Sequence, residues 1–124
     1  MILGKTLGEV EIDEAPDGGI AMHKIEENRF DLVLLDISMP GKSGFEVLKE
    51  LLQMDGAPLV IMLSVSSQVA CARRSLELGA SAYLVKDTLA DELGRAISVA
   101  LDGGRYLSGP IAEDVLAPKQ DPLV

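Results

Sequence analysis

Three short apolar runs recur along the chain, and a polar residue closes each of them. Leu32-Val33-Leu34-Leu35 ends in Asp36, Leu59-Val60-Ile61-Met62-Leu63 ends in Ser64, and Ala82-Tyr83-Leu84-Val85 ends in Lys86. Apolar runs of this length, without alternation and bounded by turn residues, read as strands buried on both faces. They predict strands over 31–36, 59–64 and 81–85, and a weaker candidate spans 10–15. Between them the apolar spacing becomes helical. Ile20, Ala21 and Ile25 mark one side of a helix over 20–28, preceded by the turn Asp17-Gly18-Gly19 with Asp17 as candidate N-cap. Ser43 caps a helix over about 44–54, in which Phe45, Leu48, Leu51 and Leu52 form a half-buried stripe; Asp55-Gly56-Ala57-Pro58 breaks it. Ser66 or Ser67 caps a helix that ends at Gly79, with Arg73 and Arg74 outside. Asp87-Thr88 caps a last helix to about Leu101, closed by Gly103-Gly104.

Strands alternating with helices imply βαβ units and a parallel sheet, hence an α/β doubly wound fold of the flavodoxin-like kind. In such a sheet ligands collect beyond the carboxyl ends of the strands. Asp36, Ser64 and Lys86 all stand at such ends, so a carboxylate, a hydroxyl and an ammonium are expected on one edge. A carboxylate in a shallow cleft can accept a phosphoryl group as an acyl phosphate, a reaction governed by positioning and charge neutralisation. Lys86 suits one phosphoryl oxygen as a point charge and Ser64 another as a hydroxyl donor. Mg2+ would complete the neutralisation through oxygen ligands, with Asp36 and the backbone carbonyl of Ser38 as candidates. Taken singly, each residue has a plainer reading: a turn or cap for Asp36 and Ser64, a solvated cation for Lys86.

Composition narrows the classes. The chain has 124 residues, 48 % of them apolar, enough for one domain with a real core. No apolar stretch reaches the length of a membrane helix and no signal peptide is seen, so no membrane association is expected. A single Cys71 excludes an intrachain disulfide and suits a reducing cytoplasm; its plain reading is a small buried hydrophobe. His23 reads as a solvated helix-face residue. The net charge of −9 argues against nucleic acid binding by this chain alone, and the scarcity of aromatics removes a base-stacking platform.

The run from Leu35 through Asp36-Ile37-Ser38-Met39-Pro40 to Gly44 resembles the phosphoacceptor motif of response-regulator receiver domains. Ser64 lies 28 residues after Asp36 and Lys86 lies 22 after Ser64, spacings similar to the NarL/FixJ type. The stretches Glu77 to Asp87 and Gly103 to Ser108 strengthen the resemblance. It implies that Asp36 is the phosphoacceptor, Lys86 the phosphoryl-binding lysine, Ser64 the switch hydroxyl and Tyr83 the switch aromatic, with Met39 and Pro40 shaping the loop after the acceptor. It also implies phosphotransfer from a sensor histidine kinase in the cytoplasm, and transcription regulation through a helix-turn-helix DNA-binding domain absent from this chain. The expected division is a receiver-like domain over 1–104 and a linker over 105–124, with a short helical piece at 111–116.

One departure is large. Receivers open with a strand ending in two adjacent acidic residues, then a helix; here only nine residues precede Val10, and they hold no acidic pair. The first βα unit is therefore incomplete, and Mg2+ binding is expected to be weak or absent. Asp13 and Glu14 are poor replacements, because the resemblance puts them on the second strand. In a 2-1-3-4-5 sheet the missing strand is an interior one. The strand over 10–15 could pair directly with 31–36, or residues 1–3, or a second chain, could fill the vacancy. An unfilled slot invites a homodimer. The rival reading is a degenerate receiver that acts through protein contacts without phosphorylation. A flavin carrier on the same sheet lacks a Gly-rich phosphate loop and stacking aromatics.

Overall fold

The apolar runs become strands of one sheet. The structure, a computed structural model, describes residues 2–4, 12–14, 18–27, 30–38, 43–65, 69–108 and 111, the first two segments by their backbone. Its elements are β1 (Ile2–Gly4), β2 (Ile12–Glu14), α1 (Gly18–Glu27), β3 (Leu32–Asp36), α2 (Gly44–Leu52), β4 (Leu59–Ser64), α3 (Val69–Glu77), β5 (Ala82–Val85), α4 (Leu89–Leu101) and β6 (Tyr106–Leu107). They build a six-stranded sheet of order β2-β1-β3-β4-β5-β6. β3 to β6 pair in parallel, with Leu34 opposite Ile61 and Leu63 opposite Leu84.

Side chains alternate across β3 to β6, so each of these strands feeds two cores. On one face Val33, Leu35, Val60, Met62, Tyr83 and Val85 meet Met22 and Ile25 of α1, Val47, Leu48 and Leu51 of α2, and Ala72 of α3. On the other, Leu32, Leu34, Ile61, Leu63, Ala82 and Leu84 meet α4 through Ala96, Leu89, Leu93 and Ile97. Leu48 is fully buried, and truncating such a residue to Ala costs about 2–5 kcal/mol. Local signals agree with this packing at α2. The Ser43 hydroxyl accepts the Glu46 N–H at 3.3 Å, and Glu46 favours the positive helix start. Gly79, at φ 107°, turns the chain out of α3.

Several elements differ from the sequence reading. α1 starts at Gly18, and the face it buries is Gly18, Ala21, Met22 and Ile25; Ile20 is 40 % exposed. Helical spacing explains this, since 18, 21, 22 and 25 share a stripe that 20 does not. Thr88 holds the N-cap position of α4, but without a side-chain cap bond. Lys86–Thr88 form a 3-10 turn, and Thr88 makes no cap bond but donates to the Val85 carbonyl at 3.4 Å. Residues 105–108 and 111, read as the beginning of a linker, are in the fold: β6 extends the sheet and Ile111 is buried in the core. Candidate caps Asp17, Ser66 and Ser67, the loop residues Met39 and Pro40, and 112–124 lie outside the described residues.

The interior slot next to β3 is held by β1, the second of the arrangements left open by the sequence. β1 runs antiparallel to both neighbours, with Ile2 opposite Leu34 on one side and Glu14 on the other. The sheet is thus parallel from β3 to β6 and mixed at β1. The vacancy that argued for self-association is filled from within the chain. Removing residues 1–4 should therefore uncover the edge of β3. We expect such a chain to lose about 1–3 kcal/mol in urea unfolding, from lost backbone hydrogen bonds, and to sediment as a dimer or larger species. An equally stable monomer would contradict this role of β1.

Candidate functional site

The carboxyl ends of β3, β4 and β5 form one rim. Asp36 is the last residue of β3 and lies opposite Leu63 of β4. Pairing continues one step further, because the Ile37 N–H donates to the Leu63 carbonyl at 3.0 Å. Ile37 in turn accepts the Gly44 N–H at 2.8 Å, which closes the loop from β3 to α2. A side chain cannot be fitted at Gly44: a Cβ there would collide with the Asp36 carbonyl and lie 2.6 Å from Ile37 Cα. The glycine lets the start of α2 press directly on the backbone of Asp36. The sequence placed Gly44 in a motif but gave no sign of this contact.

Lys86 follows β5 and reaches over β4, since β3 and β5 stand about 10 Å apart at ordinary strand spacing. Its Nζ lies 2.6 Å from Asp36 Oδ1, with the side chains 43 % and 25 % exposed. A pair this exposed adds less than about 1 kcal/mol to stability. Its significance is chemical: a carboxylate oxygen and an ammonium are fixed at solvent reach.

Ser64 ends β4, one residue past the partner of Asp36, which puts the two Cα atoms about 6 Å apart at ordinary sheet spacing. It is buried and shares a side-chain hydrogen bond with Tyr83. Tyr83 has no exposed surface. Burial pushes its phenol above the ordinary value of 10.0; the Ser64 hydrogen bond pulls the other way, and the nearby Cys71 adds a smaller upward effect. The thiol of Cys71, half-buried on α3, therefore belongs to this hydroxyl pair's surroundings.

Ser108 was not singled out from the sequence as part of a site. It is completely buried just after β6. Its hydroxyl accepts the Val85 N–H at 2.9 Å, and its own N–H donates to the Tyr83 carbonyl at 3.0 Å. The two-residue strand before it was too short to carry a periodic signal. His23 remains outside the rim, exposed and 3.1 Å from Glu27.

The expected magnesium ligands fit poorly. Ser38 is exposed in the turn after β3, and Lys86 already pairs with one Asp36 oxygen. The antiparallel β1 pairs with Leu32 to Leu34 of β3, and its ladder ends two residues short of Asp36. Asp13 and Glu14 lie one strand further out. Among the described residues no three His, Cys, Asp or Glu gather into a metal-binding group. No helix is long and apolar enough to cross a membrane.

Comparison with known proteins gives a consistent result. The sequence profile of the response regulator receiver domain matches residues 2–98. The response regulator UvrY of Escherichia coli K12 is 30 % identical over 121 residues, covering 98 % of this chain and 56 % of UvrY. The transcriptional regulatory protein DegU of Brevibacillus brevis is 30 % identical over 105 residues, covering 85 % of this chain and 44 % of DegU. The chain thus spans about half the length of these relatives. A solved two-component response regulator of the LuxR family from Aurantimonas sp. SI85-9A1 superposes with a TM-score of 0.76 at 34 % identity, over 82 % of this chain and 73 % of that one.

The raised Tyr83 phenol has a consequence for stability. Unfolded tyrosine ionises at an ordinary pH and the folded one resists, so its contribution is complete below pH 10 and is lost as pH rises towards the folded value. Urea unfolding from pH 8 to 11 should show the wild type losing more stability than Tyr83→Phe above pH 10. Parallel curves would contradict a buried, neutral phenol.

Proposed function

From its membership of the response-regulator receiver family, to which the chain belongs, we propose that it is a phosphoacceptor domain that takes a phosphoryl group on Asp36 from a sensor histidine kinase. The observation that carries this reading is the Asp36–Lys86 contact at 2.6 Å on the rim that also bears Ser64. Asp36 oxygen attacks phosphorus in line while the donor's leaving group departs. Lys86 then pairs with a phosphoryl oxygen instead of the carboxylate, and the Ser64 hydroxyl turns to another. Ser64 can serve Tyr83 or the phosphoryl group, so occupancy biases the Tyr83 side of β5 and the neighbouring α3. Magnesium, which the family uses at this position, would be bound weakly here, since no further carboxylate joins Asp36 among the described residues. The longer protein would act as a cytoplasmic transcription regulator through a DNA-binding domain beyond 124; the −9 chain itself makes no specific DNA contact.

The test is labelling with acetyl phosphate and borohydride trapping, read by mass spectrometry. We expect label on Asp36, none in Asp36→Asn, and at least a tenfold slower reaction in Lys86→Ala, the loss of about one charge-assisted hydrogen bond. Label elsewhere would overturn the assignment. No label in the wild type would favour the rival reading, a receiver that works by protein contact alone.

A further inference from the structure

The peptide between Val85 and its neighbours sets where Lys86 begins. Its N–H is taken by the Ser108 hydroxyl at 2.9 Å, and the Val85 carbonyl accepts Thr88 Oγ1 at 3.4 Å. Ser108 also pairs by its own N–H with the Tyr83 carbonyl at 3.0 Å, and its carbonyl accepts the Ile111 N–H at 2.9 Å. One buried residue therefore touches the strand that carries Tyr83 and leads into Lys86, and it also holds Ile111. β6 is only two residues long, and its ladder ends at Leu107 opposite Tyr83. Past that point no backbone carbonyl of β6 serves the Val85 N–H; the side chain of Ser108 does so instead. A hydroxyl bond to a buried amide is directional, and losing the acceptor leaves the donor with no substitute. A serine with no exposed surface is otherwise an unfavourable choice for an apolar core.

The geometry points to Ser108 as a positioning residue for the Asp36 site: its hydroxyl fixes the Val85 peptide, so that Lys86 meets Asp36, and its carbonyl ties Ile111 to that same strand end. This deepens the phosphoacceptor reading and rests on it for its functional half. The positional half stands on the Lys86–Asp36 contact alone.

The test uses Ser108→Ala and the nearly isosteric Ser108→Cys, whose sulfur is a poor acceptor. Both variants should speed hydrogen exchange at the Val85 amide about three- to tenfold, the range for one hydrogen bond. Both should raise the rate of reductive methylation of Lys86 towards that of Asp36→Asn, in which its partner is lost. Both should slow acetyl phosphate labelling of Asp36 several-fold, with no further slowing when added to Lys86→Ala. Ser108→Cys behaving as wild type would show that Ser108 only fills space, and would overturn the proposal. So would unchanged Lys86 methylation in both variants, or independent effects in the double variant. If the wild type takes no label, the phosphoacceptor reading fails, and the exchange and methylation rates still decide the positioning role of Ser108.

Discussion

The site depends on three strands being in step. β3, β4 and β5 pair in parallel without a bulge, so that Asp36 lies opposite Leu63 and Ser64 opposite Val85. A shift of one residue in any of these pairings would turn apolar side chains to the wrong core and carry the polar end off the rim. The two cores enforce the register: Val33, Leu35, Val60 and Met62 face one set of helices while Leu32, Leu34, Ile61 and Leu63 face α4. Hydrophobic burial thus fixes the geometry of a charged site without touching it. The local clamps, Gly44 on Asp36 and Ser108 on Val85, refine what the register has already set.

β1 satisfies the same sheet in a different way. An interior strand must have partners on both sides, and Ile2–Gly4 provides them between β2 and β3 while running antiparallel. Backbone pairing is met along Leu32 to Leu34, yet the ladder stops short of Asp36 and brings no carboxylate to it. The requirement for a continuous sheet and the requirement for a metal-binding rim are separate, and in the described residues only the first is fulfilled. Among the described residues Lys86 is the cation paired with Asp36.

The legible parts of the chain were those with strong, local patterns. The apolar runs gave β3, β4 and β5 to within one residue, and Ser43 gave the start of α2. The polar residues closing those runs were visible for the same reason, since a strand end is where a buried run must stop. What was hidden depends on partners distant in sequence. β6 and Ser108 are too short to show a period and acquire meaning only beside β5, 23 residues earlier for the Ser108–Val85 bond. Gly44 looks like any loop glycine until α2 meets the Asp36 carbonyl. Ile20 and Met22 exchanged roles because an apolar residue near a helix start does not reveal which stripe faces inward.

Backbone amide NMR with fluoroberyllate, a stand-in for the phosphoryl group, would probe the whole rim in one titration at saturating magnesium. We expect the amides of Ile37, Val65, Lys86 and Ser108 to shift together, with Tyr83 following through Ser64. The amides at the opposite end of the sheet, at Phe30 and Leu59, should stay unchanged. Shifts centred on that opposite end, or none at Asp36 and its neighbours, would contradict a phosphoryl site built on Asp36, Ser64 and Lys86.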